Sequence, residues 1–189
     1  IMADSGGADY MYTNNPAFGA TVSLLTASDL KTMLGNFLTN VQARYEGNAP
    51  TPSSVPINII LESNKSGSFI DDITGAGRYI FAATDNASDP DGKSNLGGTG
   101  TISFTYQMLS QLASNKTLSQ AYSSAQATMS AYYSDQSPQL EASGNSTSNE
   151  TTDQLAIAGI YLQTHATNNL APTIVAVGAP GNTTTSSGS

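Results

Sequence analysis

Ile57-Asn58-Ile59-Ile60-Leu61, running directly into Glu62-Ser63-Asn64-Lys65-Ser66-Gly67-Ser68-Phe69, decides how this chain is read. The first five residues are short, apolar and rich in β-branched side chains. They suit a central strand of a parallel sheet, covered on both faces. The eight residues after them are polar and small, and read as a turn. Downstream, Arg78-Tyr79-Ile80-Phe81-Ala82-Ala83 is a second strand of the same kind, ending in the turn Thr84–Ser88. Upstream, Thr26 or Ser28 can cap a helix that has Asp29 in its first turn. Leu30, Met33, Leu34, Phe37, Leu38 and Val41 then recur at helical spacing, which predicts one buried face and a helix to about Tyr45. Further upstream, Asp4–Asp9 reads as a turn after a short strand, and Tyr10-Met11-Tyr12 as another short strand. Beyond residue 100, Phe104, Met108, Leu109 and Leu112 carry one helix, and Leu118, Ala121, Tyr122, Ala125 and Met129 a second. Strands alternating with helices predict an α/β fold with a mostly parallel sheet. Sites in such sheets form at the carboxyl ends of the strands. Here those ends are the turns Asp4–Asp9, Glu62–Phe69 and Thr84–Ser88.

Composition narrows the function. The chain has 189 residues, of which 11% are charged and 38% hydrophobic, with a net charge of −8. Six Lys and Arg spread over the whole length cannot form a stripe for phosphates. Nucleic acid and anionic membrane surfaces are therefore poor partners. No apolar run approaches the ~20 residues that a membrane span needs. The chain has no cysteine, which removes disulfides, thiolate metal sites and thiol catalysis together. Nothing in the pattern calls for a cofactor.

The three turns resemble those of the caspase-like, legumain-type cysteine peptidases, and of their bacterial members in particular. Ile60-Leu61-Glu62-Ser63-Asn64-Lys65-Ser66-Gly67-Ser68-Phe69 is similar to the family's Glu-Ala-Cys-x-Ser-Gly-Ser motif, with Asn64 at the cysteine position. Met2-Ala3-Asp4-Ser5-Gly6-Gly7 is similar to its Asp-His-Gly-Gly turn, with Ser5 at the histidine position. Later segments resemble the bacterial members as well: Ile102-Ser103-Phe104, Thr117–Tyr122, Ser137-Pro138-Gln139-Leu140 and Thr152–Ala156. The resemblance covers about residues 1–177. It implies a three-layer caspase-like fold, with further strands expected from a segment upstream of this chain or from a partner.

Both dyad positions depart from the family. Its mechanism needs a thiolate nucleophile and an imidazole that manages protons. An Asn amide is neither nucleophile nor base at neutral pH, and a Ser hydroxyl cannot replace imidazole. Asp4, Glu62 and Ser66 neighbour the degenerate pair. Ser66 and Ser68 are the hydroxyls that could stand in as nucleophiles, but the only histidine is His165, far along the chain. Asp4, Asp9 and Glu62 could form a pocket for a basic peptide or could cap turns. Asp85, Asp89 and Asp91 share a Gly-rich loop and are weak candidates for calcium, since their spacing is not that of an EF-hand.

Asn-x-Ser/Thr occurs at Asn64, Asn86, Asn115, Asn145, Asn149 and Asn182. Asn145 and Asn149 are the best glycan candidates, because Ser143–Thr152 reads as an exposed loop. Residues 1–170 read as the C-terminal part of a caspase-like domain. Residues 171–189 read as the strand Pro172–Val177 and a Gly/Ser/Thr-rich linker. Two functions follow. One is a catalytically inactive caspase-like domain with a structural or binding role in a secreted or cell-surface protein, as a glycoprotein or a self-assembling oligomer or filament subunit. Its partners would be copies of itself, other protein, or the upstream segment of its own precursor. The other is a hydrolase or peptide-binding domain that uses the substituted centre.

Overall fold

The computed structural model describes residues 6–13, 23–44, 56–86, 103–133 and 136–162. The Pro172–Val177 strand and the tail expected from the sequence lie outside them. The described chain is α/β, with two three-stranded sheets and five α-helices among the described residues.

The first sheet is antiparallel throughout. β1 (Gly6–Gly7) and β2 (Tyr10–Tyr12) form a hairpin, and β3 (Leu24–Thr26) pairs on the other side of β2. The sequence expectation of a turn over Asp4–Asp9 is corrected for its second half. Gly6 and Gly7 are paired strand, and the turn is Ala8-Asp9, with Asp9 at φ 61°. Gly7 lies under the Tyr10 ring, where a Cβ would come within 2.6 Å of the Tyr10 hydroxyl.

Thr26 ends β3 and caps α1 (Ala27–Ala43). The Asp29 backbone N–H donates to Thr26 Oγ1 at 3.0 Å. In return, the Thr26 hydroxyl and backbone N–H donate to Asp29 Oδ2 at 2.7 Å and 3.1 Å. This reciprocal box satisfies donors that a helix start otherwise leaves orphaned. The Thr26 hydroxyl, and after it the Thr26 N–H, hold the Asp29 carboxyl below its ordinary value. A lowered folded pKa stabilises above the unfolded value, and the gain is lost as pH falls through the folded one. Asp29→Asn should therefore lower the unfolding midpoint slightly at neutral pH. The gap to the wild type should close as pH falls below the ordinary carboxylate range, and a gap that persists in acid would contradict the assignment.

The second sheet runs β4 (Ile57–Leu61), β5 (Arg78–Ala82) and β6 (Gln139–Glu141). β4 and β5 are parallel over their whole length, from Ile57↔Arg78 to Leu61↔Ala82. The connection 62–77 makes this possible, since parallel neighbours need a crossover. It contains a 3-10 turn at Ser66–Phe69 and the short helix α2 (Ile70–Ile73). β6 is antiparallel to β5. The expected mostly parallel sheet is thus corrected to a mixed one. The chain leaves β5, passes through the helical pair α3 (Phe104–Ala113) and α4 (Leu118–Tyr132), and returns along β5 in the opposite sense. α5 (Thr151–Ile157) follows.

Alternation along β5 divides the core. Phe81 and Ala83 face a cluster with Phe104, Met108, Leu112, Tyr122, Met129 and Leu140. Ile80 and Ala82 face another with Met11, Ala27, Leu30, Phe69, Ile70 and Ile73. Helices therefore cover both faces of this sheet. Burial of α1 is narrower than its apolar stripe predicts: Ala27, Leu30 and Leu38 are buried, whereas Met33 is 59% and Phe37 49% exposed. Leu30 and Leu34 pack into the cluster on this side of the sheet, and Met33 and Phe37 are rotated off their line. Leu109 is exposed for the same reason, beside the buried line Phe104-Met108-Leu112.

Candidate functional site

The site is assembled at the carboxyl ends of β4 and β5. Leu61 O accepts the Ala83 N–H at 2.9 Å, which extends the ladder one step past β5. Glu62 comes next and is fully buried. Its Oε1 accepts the Phe104 N–H at 2.9 Å and its Oε2 the Thr105 N–H at 2.8 Å. The carboxylate thus sits on the first turn of α3, where the free N–H groups and the helix dipole both favour negative charge. Glu62 anchors that helix to the end of β4.

Ser63 is buried and lies against the β1–β2 hairpin. A Cβ on Gly6 would stand 3.2 Å from the Ser63 Cβ. Asn64 is half-buried in the turn, and Lys65 is left-handed at φ 53° as it enters the 3-10 turn. Ser66 is buried between the two strand ends. Its N–H donates to Thr84 Oγ1 at 3.1 Å, and its Oγ accepts the Thr84 N–H at 3.2 Å. At Gly67 a Cβ would come within 2.7 Å of Thr84 O and 2.8 Å of Asp85 C, so backbone passes backbone and only glycine fits. Ser68 Oγ accepts the Asp9 N–H at 2.7 Å and donates to Lys65 O at 2.8 Å. Gln136 Nε2 holds Ala83 O at 2.9 Å.

The structure therefore brings the three turns singled out from sequence to one place. Gly6 touches Ser63, Asp9 is bonded to Ser68, and Ser66 is bonded to Thr84. Asp4 and Ser5 lie outside the described residues, as do Asp89, Asp91 and His165. Among the described residues, the hydrogen-bond partners of the Ser66 and Ser68 hydroxyls are Thr84 and backbone groups, and neither hydroxyl is bonded to a group that could take its proton.

No family model matches the chain, and neither a curated protein nor a solved structure is significantly similar to it.

Beside the turn, an open cleft of about 260 Å³ is lined by Gly67, Ile70, Asp71, Asp85, Gln139 and the loop 146–148, among others. Among the described residues, no group of three or more His, Cys, Asp or Glu is placed to hold a metal. No helix among them is long and apolar enough to cross a membrane.

The two best sequons are both exposed, and each has its carboxamide hydrogen-bonded through Oδ1 and Nδ2. Asn145 is exposed: its Oδ1 accepts the Thr147 N–H at 2.7 Å, and its Nδ2 donates to Glu150 at 2.6 Å. Asn149 is engaged on both sides of its carboxamide. Oδ1 accepts from the Leu140 N–H at 3.0 Å and the Tyr122 hydroxyl at 2.6 Å, and Nδ2 donates to Pro138 O at 3.1 Å. A glycan on Asn149 would have to attach at the nitrogen that makes this last bond. Thr84, Gln136 and Glu141 organise the region; the sequence marks Thr84 only as the start of the turn Thr84–Ser88 and does not single out Gln136 or Glu141. Many of their partners are main-chain groups, which leave no residue pattern to read.

Proposed function

We propose that the chain is a catalytically silent domain of the caspase-like, legumain-type family, and that it works by structure or binding in a secreted or cell-surface protein. The turn after β4 carries the reading. An asparagine stands where the family has its nucleophile, and the neighbouring hydroxyls of Ser66 and Ser68 are committed to structural bonds. A sheet covered on both faces and the convergence of three turns on the ends of β4 and β5 support the three-layer fold of that family. Low charge and abundance of Ser, Thr and Asn support a surface setting.

The test is a peptidase assay on the wild type beside the double variant Ser5→His, Asn64→Cys. The wild type should be inert, and measurable cleavage by it would overturn the reading. Activity gained by the double variant would add support, since the thiolate and imidazole would then find the rest of the machinery waiting.

The cleft favours a second reading, in which the silent site still holds a basic peptide. Asp71 and Asp85 give it negative charge on a chain that is already acidic. A labelled lysine-rich peptide should then bind the wild type in low salt and lose affinity with Asp71→Asn. Equal affinity for a neutral peptide would sink this reading.

A further inference from the structure

An outer strand of a sheet normally presents unpaired N–H and C=O groups, and so invites another chain to extend it. β6 does not. Pro138 has no N–H, and its carbonyl accepts from Asn149 Nδ2 at 3.1 Å. Leu140, the middle residue of β6, bonds on both counts to Asn149. Its N–H donates to Asn149 Oδ1 at 3.0 Å, and its carbonyl accepts the Asn149 N–H at 2.7 Å. The next outward N–H, on Ala142, donates to Asp153 Oδ1 at 2.9 Å.

We propose that Asn149 closes the outer edge of β6 against pairing with a strand from a second copy of this chain. One residue supplies the donor and the acceptor that a neighbouring strand would supply from its main chain. It does so from a left-handed backbone, φ 63°, which asparagine tolerates better than most residues. Its Nδ2 reaches Pro138 at the same time, so the carboxamide is fixed in the orientation that offers Oδ1 to Leu140. Tyr122 holds the same oxygen from the core side. Burial keeps the Tyr122 hydroxyl far above its ordinary pKa, so it stays a donor. The inference stands on this geometry alone and does not depend on descent from a peptidase. Its consequence is that assembly of the native chain uses a surface other than this edge.

Asn149→Gly tests it. Glycine accepts the positive φ and keeps the backbone bond to Leu140 O, so only the carboxamide is lost. In dilute solution the Leu140 amide of this variant should exchange roughly tenfold faster than in the wild type, the effect of losing about one hydrogen bond. Unchanged Leu140 exchange would overturn the proposal. Asn149→Asp keeps an acceptor for the Leu140 N–H but loses the donor to Pro138 O, so its Leu140 exchange should lie between those of the wild type and the glycine variant; exchange as fast as in the glycine variant would count against the role given to Oδ1. A wild-type arm holds whether or not the glycine variant folds. A peptide of residues 137–143 in excess should leave wild-type Leu140 exchange unchanged, and any slowing would show the edge to be open.

Discussion

Replacing Glu62 with alanine should cost the fold about 3 kcal/mol or more, measured as a shift of the urea midpoint at constant slope. The side chain is fully buried and accepts the Phe104 and Thr105 N–H groups, themselves buried at the start of α3. Hydrogen bonds to a charged acceptor are worth about 1.5–3 kcal/mol each, and a buried donor left without one keeps its full desolvation penalty. The α3 dipole adds to the loss. Glu62→Gln should recover little. Both partners are backbone N–H groups, which can only donate, and a glutamine amide would present an NH₂ to one of them. A Glu62→Ala variant within 1 kcal/mol of the wild type would mean that water reaches the α3 terminus and that the anchor is dispensable.

Much of this site was legible. β4 and β5 announce themselves by β-branched and aromatic runs, and the turns after them by Ser, Gly and Asn, because these signals are local. The start of α1 was legible because a cap is a side-chain property of two residues, Thr26 and Asp29. Burial was less so. Helical periodicity gives the direction of an apolar stripe, while the surface it meets sets the width, and Met33, Phe37 and Leu109 fall outside that contact. β6 was not legible as a strand. It is three residues long, its last residue is a buried glutamate, and its edge is satisfied by an asparagine nine residues beyond Leu140. Glu62 was expected beside the degenerate dyad as a pocket or turn acid. Its actual partners lie 42 and 43 residues away in main chain, which no side-chain pattern encodes.

Glu141→Ala should cost about as much as Glu62→Ala, again about 3 kcal/mol or more, but its glutamine variant should behave differently. Glu141 is fully buried. Its Oε1 gathers the Gly144 N–H at 2.7 Å, the Asn145 N–H at 3.1 Å and the Ser143 hydroxyl at 3.1 Å. Its Oε2 accepts the hydroxyl of Thr74, on the connection between α2 and β5. Alanine would strand all of these, and the Gly144 and Asn145 amides should lose protection from exchange along with global stability. Glutamine can keep its oxygen toward the loop and turn its NH₂ toward Thr74. A threonine hydroxyl accepts as readily as it donates, so that bond re-forms with its direction reversed. Glu141→Gln should therefore retain most of the stability, while Glu62→Gln should not. Parallel unfolding curves of the four variants check this directly, and the contrast lies in the two glutamine curves. If they coincide, either the Thr74 hydroxyl cannot reverse or the N–H groups of α3 find another acceptor, and the two buried carboxylates would then differ in place but not in kind.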